Sequence, residues 1–154
     1  MKHGSTHFLR FVIALLGLAA IAFCVATFPA AASATRLDEY RPVLFGLYLT
    51  AIPFLTALYQ ALKLLGFIDR NKAFSEHSVR VLGNIKWSGI AIALICAAYA
   101  PYLFVVADND DAPGVLAIGL VIMFASSVVA TFAAVLQNLI RNAVEIKSEN
   151  DLTV

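Results

Sequence analysis

Charge is scarce in this chain. Of its 154 residues only 14% are Asp, Glu, Lys or Arg, where an ordinary soluble domain carries roughly 25%, and 61% are hydrophobic. A water-soluble fold cannot cover that much apolar surface, which excludes a soluble catalytic domain. Cysteine is almost absent, with Cys24 and Cys96 far apart and each inside an apolar run. Neither has the near neighbour that dithiol chemistry requires, so a quinone-linked thiol oxidase is excluded and both read as small packing residues. No Asp, Glu, Lys, Arg or His interrupts the long apolar runs. Ionisable groups at such positions cost about 2.5–3.5 kcal/mol and mark ion or proton pathways, so a proton-coupled pump is disfavoured.

Metal chemistry is equally thin. His3 and His7 have the i, i+4 spacing of a shared helical site, but Gly4, Ser5 and Thr6 between them make a poor helix, and no cysteine or nearby carboxylate completes a ligand set. Asp108, Asp110 and Asp111 form a loop shorter than an EF-hand and without its closing Glu, which reads as a solvated turn. There is no nucleophile triad, phosphate-cradling glycine loop or nucleic-acid-binding motif. The expectation is a protein that is not an enzyme, without cofactor or metal, and without direct contact to nucleic acid.

What the chain does have is four charge-free apolar runs, at 11–28, 43–62, 87–106 and 115–140. Each is long enough to cross a bilayer. Each must be helical, because the hydrocarbon core offers no water to satisfy a backbone N–H or C=O. Alternating strand patterns are absent, which disfavours a β-barrel. The fold expected is all-α: one transmembrane domain over 1–154, an integral membrane four-helix bundle, with a loop at 63–86 and a tail at 141–154. Pro29 is expected to break the first run, whereas Pro53 and Pro101 lie inside spans and read as packing kinks. Small residues recur every fourth position at Ala22, Ala26 and Ala30, at Gly89, Ala93 and Ala97, and at Ser126, Ala130 and Ala134, as closely packed helices require. They leave open whether the chain is a monomer or a homo-oligomer.

The order of the charges orients the spans. Lys2 and Arg10 precede the first, Lys63, Arg70, Lys72, Arg80 and Lys86 separate the second from the third, and Arg141 and Lys147 follow the fourth; the opposite loops hold only Arg36 and Arg41. By the positive-inside rule both termini are expected in the cytoplasm of a bacterial inner (cytoplasmic) membrane, with the acidic turn outside. Lys2, Arg10, the first apolar run and Ala32-Ser33-Ala34 imitate a cleavable signal peptide. The run is longer than the usual 7 to 15 residues, so a retained span is expected.

Patterned polar residues concentrate on the basic side. Ser75 is a natural helix N-cap, followed by Glu76, Arg80 and Asn84 on one face and Val79, Leu82 and Ile85 on another, which predicts an amphipathic helix running into the third span. Glu76 before Arg80 is the favourable order for an ion pair. Its basic residues suit either anionic headgroups or a docked protein. The tail prolongs the fourth helix until Asn150-Asp151, a predicted break that leaves Leu152-Thr153-Val154 as a short β-favouring end.

Four spans, Phe74-Ser75 leading a basic amphipathic helix, and the closing Glu149-Asn150-Asp151-Leu152-Thr153-Val154 together resemble the bacterial membrane-protein family known as domain of unknown function 2975. The resemblance covers nearly the whole chain, with the closing hexapeptide its most specific part. Where the family has a Glu-Asn pair before the amphipathic run, this chain has His77-Ser78. The resemblance implies no known reaction, and a gene that neighbours a small helix-turn-helix regulator. That regulator is the expected cytoplasmic partner, docking on Phe74, Ser75, Glu76, Arg80, Glu149, Asn150, Asp151, Leu152 and Val154. A second class stays open: a small permease, channel or ligand sensor with a pocket among Tyr48, Thr56, Tyr59, Gln60, Ser126 and Thr131. So does a third, an immunity or envelope-stress protein.

Overall fold

The computed structural model describes residues 2–32 and 41–153, with the side chains of residues 2, 3 and 30–32 left out. Arg36, Ser33, Ala34 and Val154, and the side chains of His3 and Ala30, therefore lie outside the described residues. Four helices account for almost everything described: α1 (Lys2–Ala32), α2 (Arg41–Asp69), α3 (Glu76–Asn109) and α4 (Pro113–Leu152). All four are long and apolar enough to cross a membrane. Each contains one of the apolar runs and overruns it at both ends. Hydropathy senses the solvent, whereas i→i−4 hydrogen bonds propagate past the hydrocarbon boundary, one bond for each residue added.

Three local expectations are corrected. Pro29 does not end α1, which continues to Ala32, because the proline removes one i→i−4 bond and leaves the others in place. Gly4, Ser5 and Thr6 are helical, carried outward from the apolar turns that follow them. Asn150-Asp151 does not break α4. Both stay helical and exposed, and the helix stops at Thr153, whose hydroxyl donates to the Glu149 carbonyl at 2.6 Å.

The short turns have a clear cause. After α2, Asn71 takes a left-handed φ of 54° while its N–H bonds to the Ile68 carbonyl and that of Lys72 to the Phe67 carbonyl. Asp111 (φ 50°) closes α3 similarly, with the Ala112 N–H on the Ala107 carbonyl. Both are Schellman closures, with Asn and Asp in the place that glycine usually fills.

The helices pack antiparallel in chain order, α3 with α4 most closely, then α2 with α3, then α1, among the described residues, on α2 alone. Gly89 explains the first contact. A Cβ there would stand 3.0 Å from the Ser126 carbonyl oxygen and 3.1 Å from the Ala130 Cβ, so two of the small-residue stripes face each other. Gly46 receives the Tyr99 ring in the same manner. α1 is held by two polar clasps: Arg10 to Asp69 at 2.7 Å, and the Tyr48 hydroxyl donating to the Cys24 carbonyl at 3.1 Å beside Thr27. Buried apolar side chains are few, among them Leu65, Val81, Leu82, Ile92 and Val106, while Phe11, Phe23, Phe45, Phe104, Phe124 and Phe132 are exposed along the helices. Only a hydrocarbon solvent leaves such a surface stable.

A side chain at Gly89 must push α4 away. Gly89→Val should lower the unfolding free energy in detergent by about 1–3 kcal/mol, read as an earlier thermal transition, whereas Gly114→Ala, with nothing within 4 Å, should leave the transition in place or move it slightly later.

Candidate functional site at the basic end

Antiparallel packing gathers the start of α1, the turn between α2 and α3 and the far part of α4 at one end of the molecule. The Arg10–Asp69 pair joins α1 to α2 there, and Gln137 joins α4 to α3. The acidic turn lies at the other end.

The turn into α3 is built on two serines. Ser75, in extended backbone (φ −141°, ψ 157°), caps the helix, its Oγ accepting from the Ser78 N–H at 3.4 Å. Ser78 is fully buried, and its hydroxyl donates to the Lys72 carbonyl at 3.3 Å while standing 3.3 Å from the Ser75 hydroxyl. The His77 ring packs tilted on Phe67, with 6.1 Å between centroids. His77-Ser78 therefore stitches α3 to the end of α2. Glu76 and Arg80 are both exposed and do not close the ion pair expected of them, since an exposed helix pair gains only about 0.3–0.5 kcal/mol over free hydration.

Lower on the same face, Gln137 bridges α4 to α3. Its Nε2 donates to the Val79 carbonyl at 3.1 Å, and its Oε1 accepts from Lys86 Nζ at 3.1 Å. Gly83 makes room, because a Cβ there would meet Gln137 Nε2 at 2.7 Å. Lys86 also stands 5.7 Å above the exposed Trp87 ring, and Lys63 4.8 Å above Tyr59. Such aromatic and cationic pairs suit a membrane–water interface.

This register shows how far α4 projects. With Gln137 level with Val79–Gly83, the start of α3 is level with about residue 142, so about ten further residues stand roughly 15 Å past the bundle. From Glu145 onward every described residue is exposed, Ile146 at 66% and Leu152 at 84%. Phe74, in the turn, is 65% exposed. The docking residues thus fall into two accessible groups, Phe74–Arg80 and Glu149–Leu152, with Ser75 engaged as a cap. No hydrogen bond or ion pair joins the groups among the described residues. Lys86 was read from sequence only as a basic residue closing the loop and Ser78 only as part of the His77-Ser78 pair, and Gln137 was not picked out.

The polar pocket expected inside the bundle is not assembled. Thr56, Ser126, Ser127 and Thr131 each donate to the carbonyl four residues earlier, and Tyr48 turns toward α1. Of Tyr48, Thr56, Tyr59, Gln60, Ser126 and Thr131, only Ser126 lines the cavity between the four helices, whose walls are otherwise almost wholly apolar.

Comparison with known proteins agrees with this architecture. A family model described as "Protein of unknown function (DUF2975)" matches residues 25–154, which leaves out most of the lightly held α1. The chain is 49% identical over 162 aligned residues to the "Uncharacterized membrane protein YoaS" of Bacillus subtilis (strain 168), covering 100% of both chains. No solved structure matches.

Removing the buried hydroxyl should loosen the turn. Ser78→Val should cost about 1–3 kcal/mol, because the packed hydroxyl is lost, while Ser75→Ala should cost about 1 kcal/mol as the cap is lost. Thermal unfolding of the two variants in the same detergent checks the order.

Proposed function

Since the chain belongs to the DUF2975 family of proteins of unknown function, we propose that it is a membrane docking protein that acts without catalysis and holds a small helix-turn-helix regulator at the cytoplasmic face. The observation that supports this reading is the last part of α4, an exposed helix carried past the bundle with apolar Ile146 and Leu152 among Glu145, Glu149 and Asp151. An isolated helix of that length is marginal in water, and its exposed apolar groups gain most from a groove on another protein. The acidic side chains complement a DNA-binding protein, whose surface is basic. Phe74 supplies a second anchor beside the same end. The basic residues clustered there favour the cytoplasm for this face of a bacterial membrane protein.

Truncation after Lys147 removes, among the described residues, only exposed ones, so the bundle should remain folded. Co-expression with a small helix-turn-helix regulator of the kind the family resemblance implies should then recover at least ten-fold less of it on the purified membrane protein than the full chain does, and Leu152→Asp should lower recovery in the same direction. Unchanged recovery with both variants would remove the tail from the account.

A further inference from the structure

We infer that two copies of the chain pair side by side in the membrane, the acidic face of one α4 tail resting on the basic turn between α2 and α3 of the other. Glu145, Ile146, Glu149 and Leu152 share one face of the tail, while Lys147 and Asp151, four residues apart, offset each other on the opposite face. That face thus carries two carboxylates and two large exposed aliphatic chains. The turn offers the converse. Arg70 and Lys72 are exposed beside the exposed Phe74 ring, and Glu76 and Arg80 offset each other in the first turns of α3.

The two patches do not meet within one copy. Arg70 and Lys72 follow the end of α2, which does not pack on α4 among the described residues, and α3 lies between. α4 stays helical to Leu152, so its tail rises away from the bundle and does not fold back on the turn. None of Arg70, Lys72, Glu145 and Glu149 forms an ion pair among the described residues. A second copy supplies what one copy lacks. The charge distribution that orients one chain orients every chain alike, so neighbouring copies carry their turns and tails at the same height. The start of α3 is level with about residue 142 of α4, and the long stems of Arg70 and Lys72 lift their charges toward Glu145 and Glu149, about one to two turns higher.

The apolar surface of α4 points to the same occupant. Val128, Phe132, Val135, Leu139 and Ile146 are exposed at spacings of four, three, four and seven residues, on the side of α4 away from Ala130, which is buried against Gly89 of α3. Lipid covers this stripe within the span, but Ile146 stands past the bundle in water. A soluble partner reaches only the last part of it, whereas a second copy follows the stripe from the hydrocarbon into the water. About a two-fold axis along the membrane normal each copy gives its tail and receives the other's, so the contact forms twice. The pairing goes beyond the docking reading and uses the same residues, so a regulator that docks there displaces the second copy.

Cross-linking in membranes that contain no regulator tests the pairing. In full chains with Cys24 and Cys96 replaced by Ser, Ala73→Cys goes into one tagged copy and Asn142→Cys into a differently tagged one, and a short bis-maleimide joins the thiols. Cross-links between positions 73 and 142 should exceed those joining 73 to 73 or 142 to 142. Glu145→Lys with Glu149→Lys, in both copies, should lower the yield between 73 and 142 about ten-fold, since exposed ion pairs formed twice become repulsions. Adding Arg70→Glu and Lys72→Glu to the same chains restores the wild-type charge balance and should restore the yield, a rescue that a patch facing only water or lipid would not give. Cross-links mainly joining 142 to 142, a yield indifferent to the charge reversal, or no recovery in a combined chain that keeps its thermal transition would overturn the proposal. Capture of a regulator is measured separately by the truncation, so failure of the pairing and failure of the docking reading are distinguishable.

Discussion

Everything in this molecule follows from the absence of water along four long stretches of chain. A backbone in hydrocarbon must satisfy itself, which makes each stretch a helix. Side-chain hydroxyls in those helices bond the carbonyl one turn back, as Thr56, Ser126, Ser127 and Thr131 do. Helix association then depends on close fit instead of the hydrophobic effect, because lipid tails are as apolar as leucine. Gly89 against Ser126 and Ala130 supplies that fit for α3 and α4. α1 has little of it and relies on the Arg10–Asp69 and Tyr48–Cys24 clasps.

The same constraint sends polar chemistry to the ends. At the basic end it takes two forms with different consequences. One form is inward: Ser75, Ser78, Gln137 and Lys86 bind the turn and the two long helices into one rigid corner. The other is outward: Phe74, Glu76, Arg80 and the last turns of α4 face solvent. A rigid corner carrying an exposed helix is a good platform for recognition, since the docking groups are held in place before a partner arrives.

Much of this was legible in the sequence, and the residues show why the rest was not. Charge-free runs disclose the spans because lipid selects against charge at every position, and Ser75 disclosed its cap because capping is a rule about three consecutive neighbours. Gln137 and Ser78 were hidden, their meaning residing in Val79, 58 positions away, and in the Lys72 carbonyl across a turn. The ends of α1 and α4 were placed short, since Pro29 and Asn150-Asp151 are breaking signals of a fraction of a turn set against long helices already formed. The polar residues read as a pocket were scattered by the helical period, each within reach of its own backbone. The apolar cavity between the helices left no trace in the sequence, since its lining is as apolar as the lipid-facing surface.

The account stands or falls on which side of the membrane the basic end occupies. Single cysteines placed at Arg70, Asp110 and Glu149, in a chain with Cys24 and Cys96 replaced by Ser, can be probed in intact cells with a membrane-impermeant thiol reagent. Labelling at position 110 alone, with positions 70 and 149 reacting only after the membrane is opened, is the expected result. Labelling of 70 and 149 from outside would contradict it.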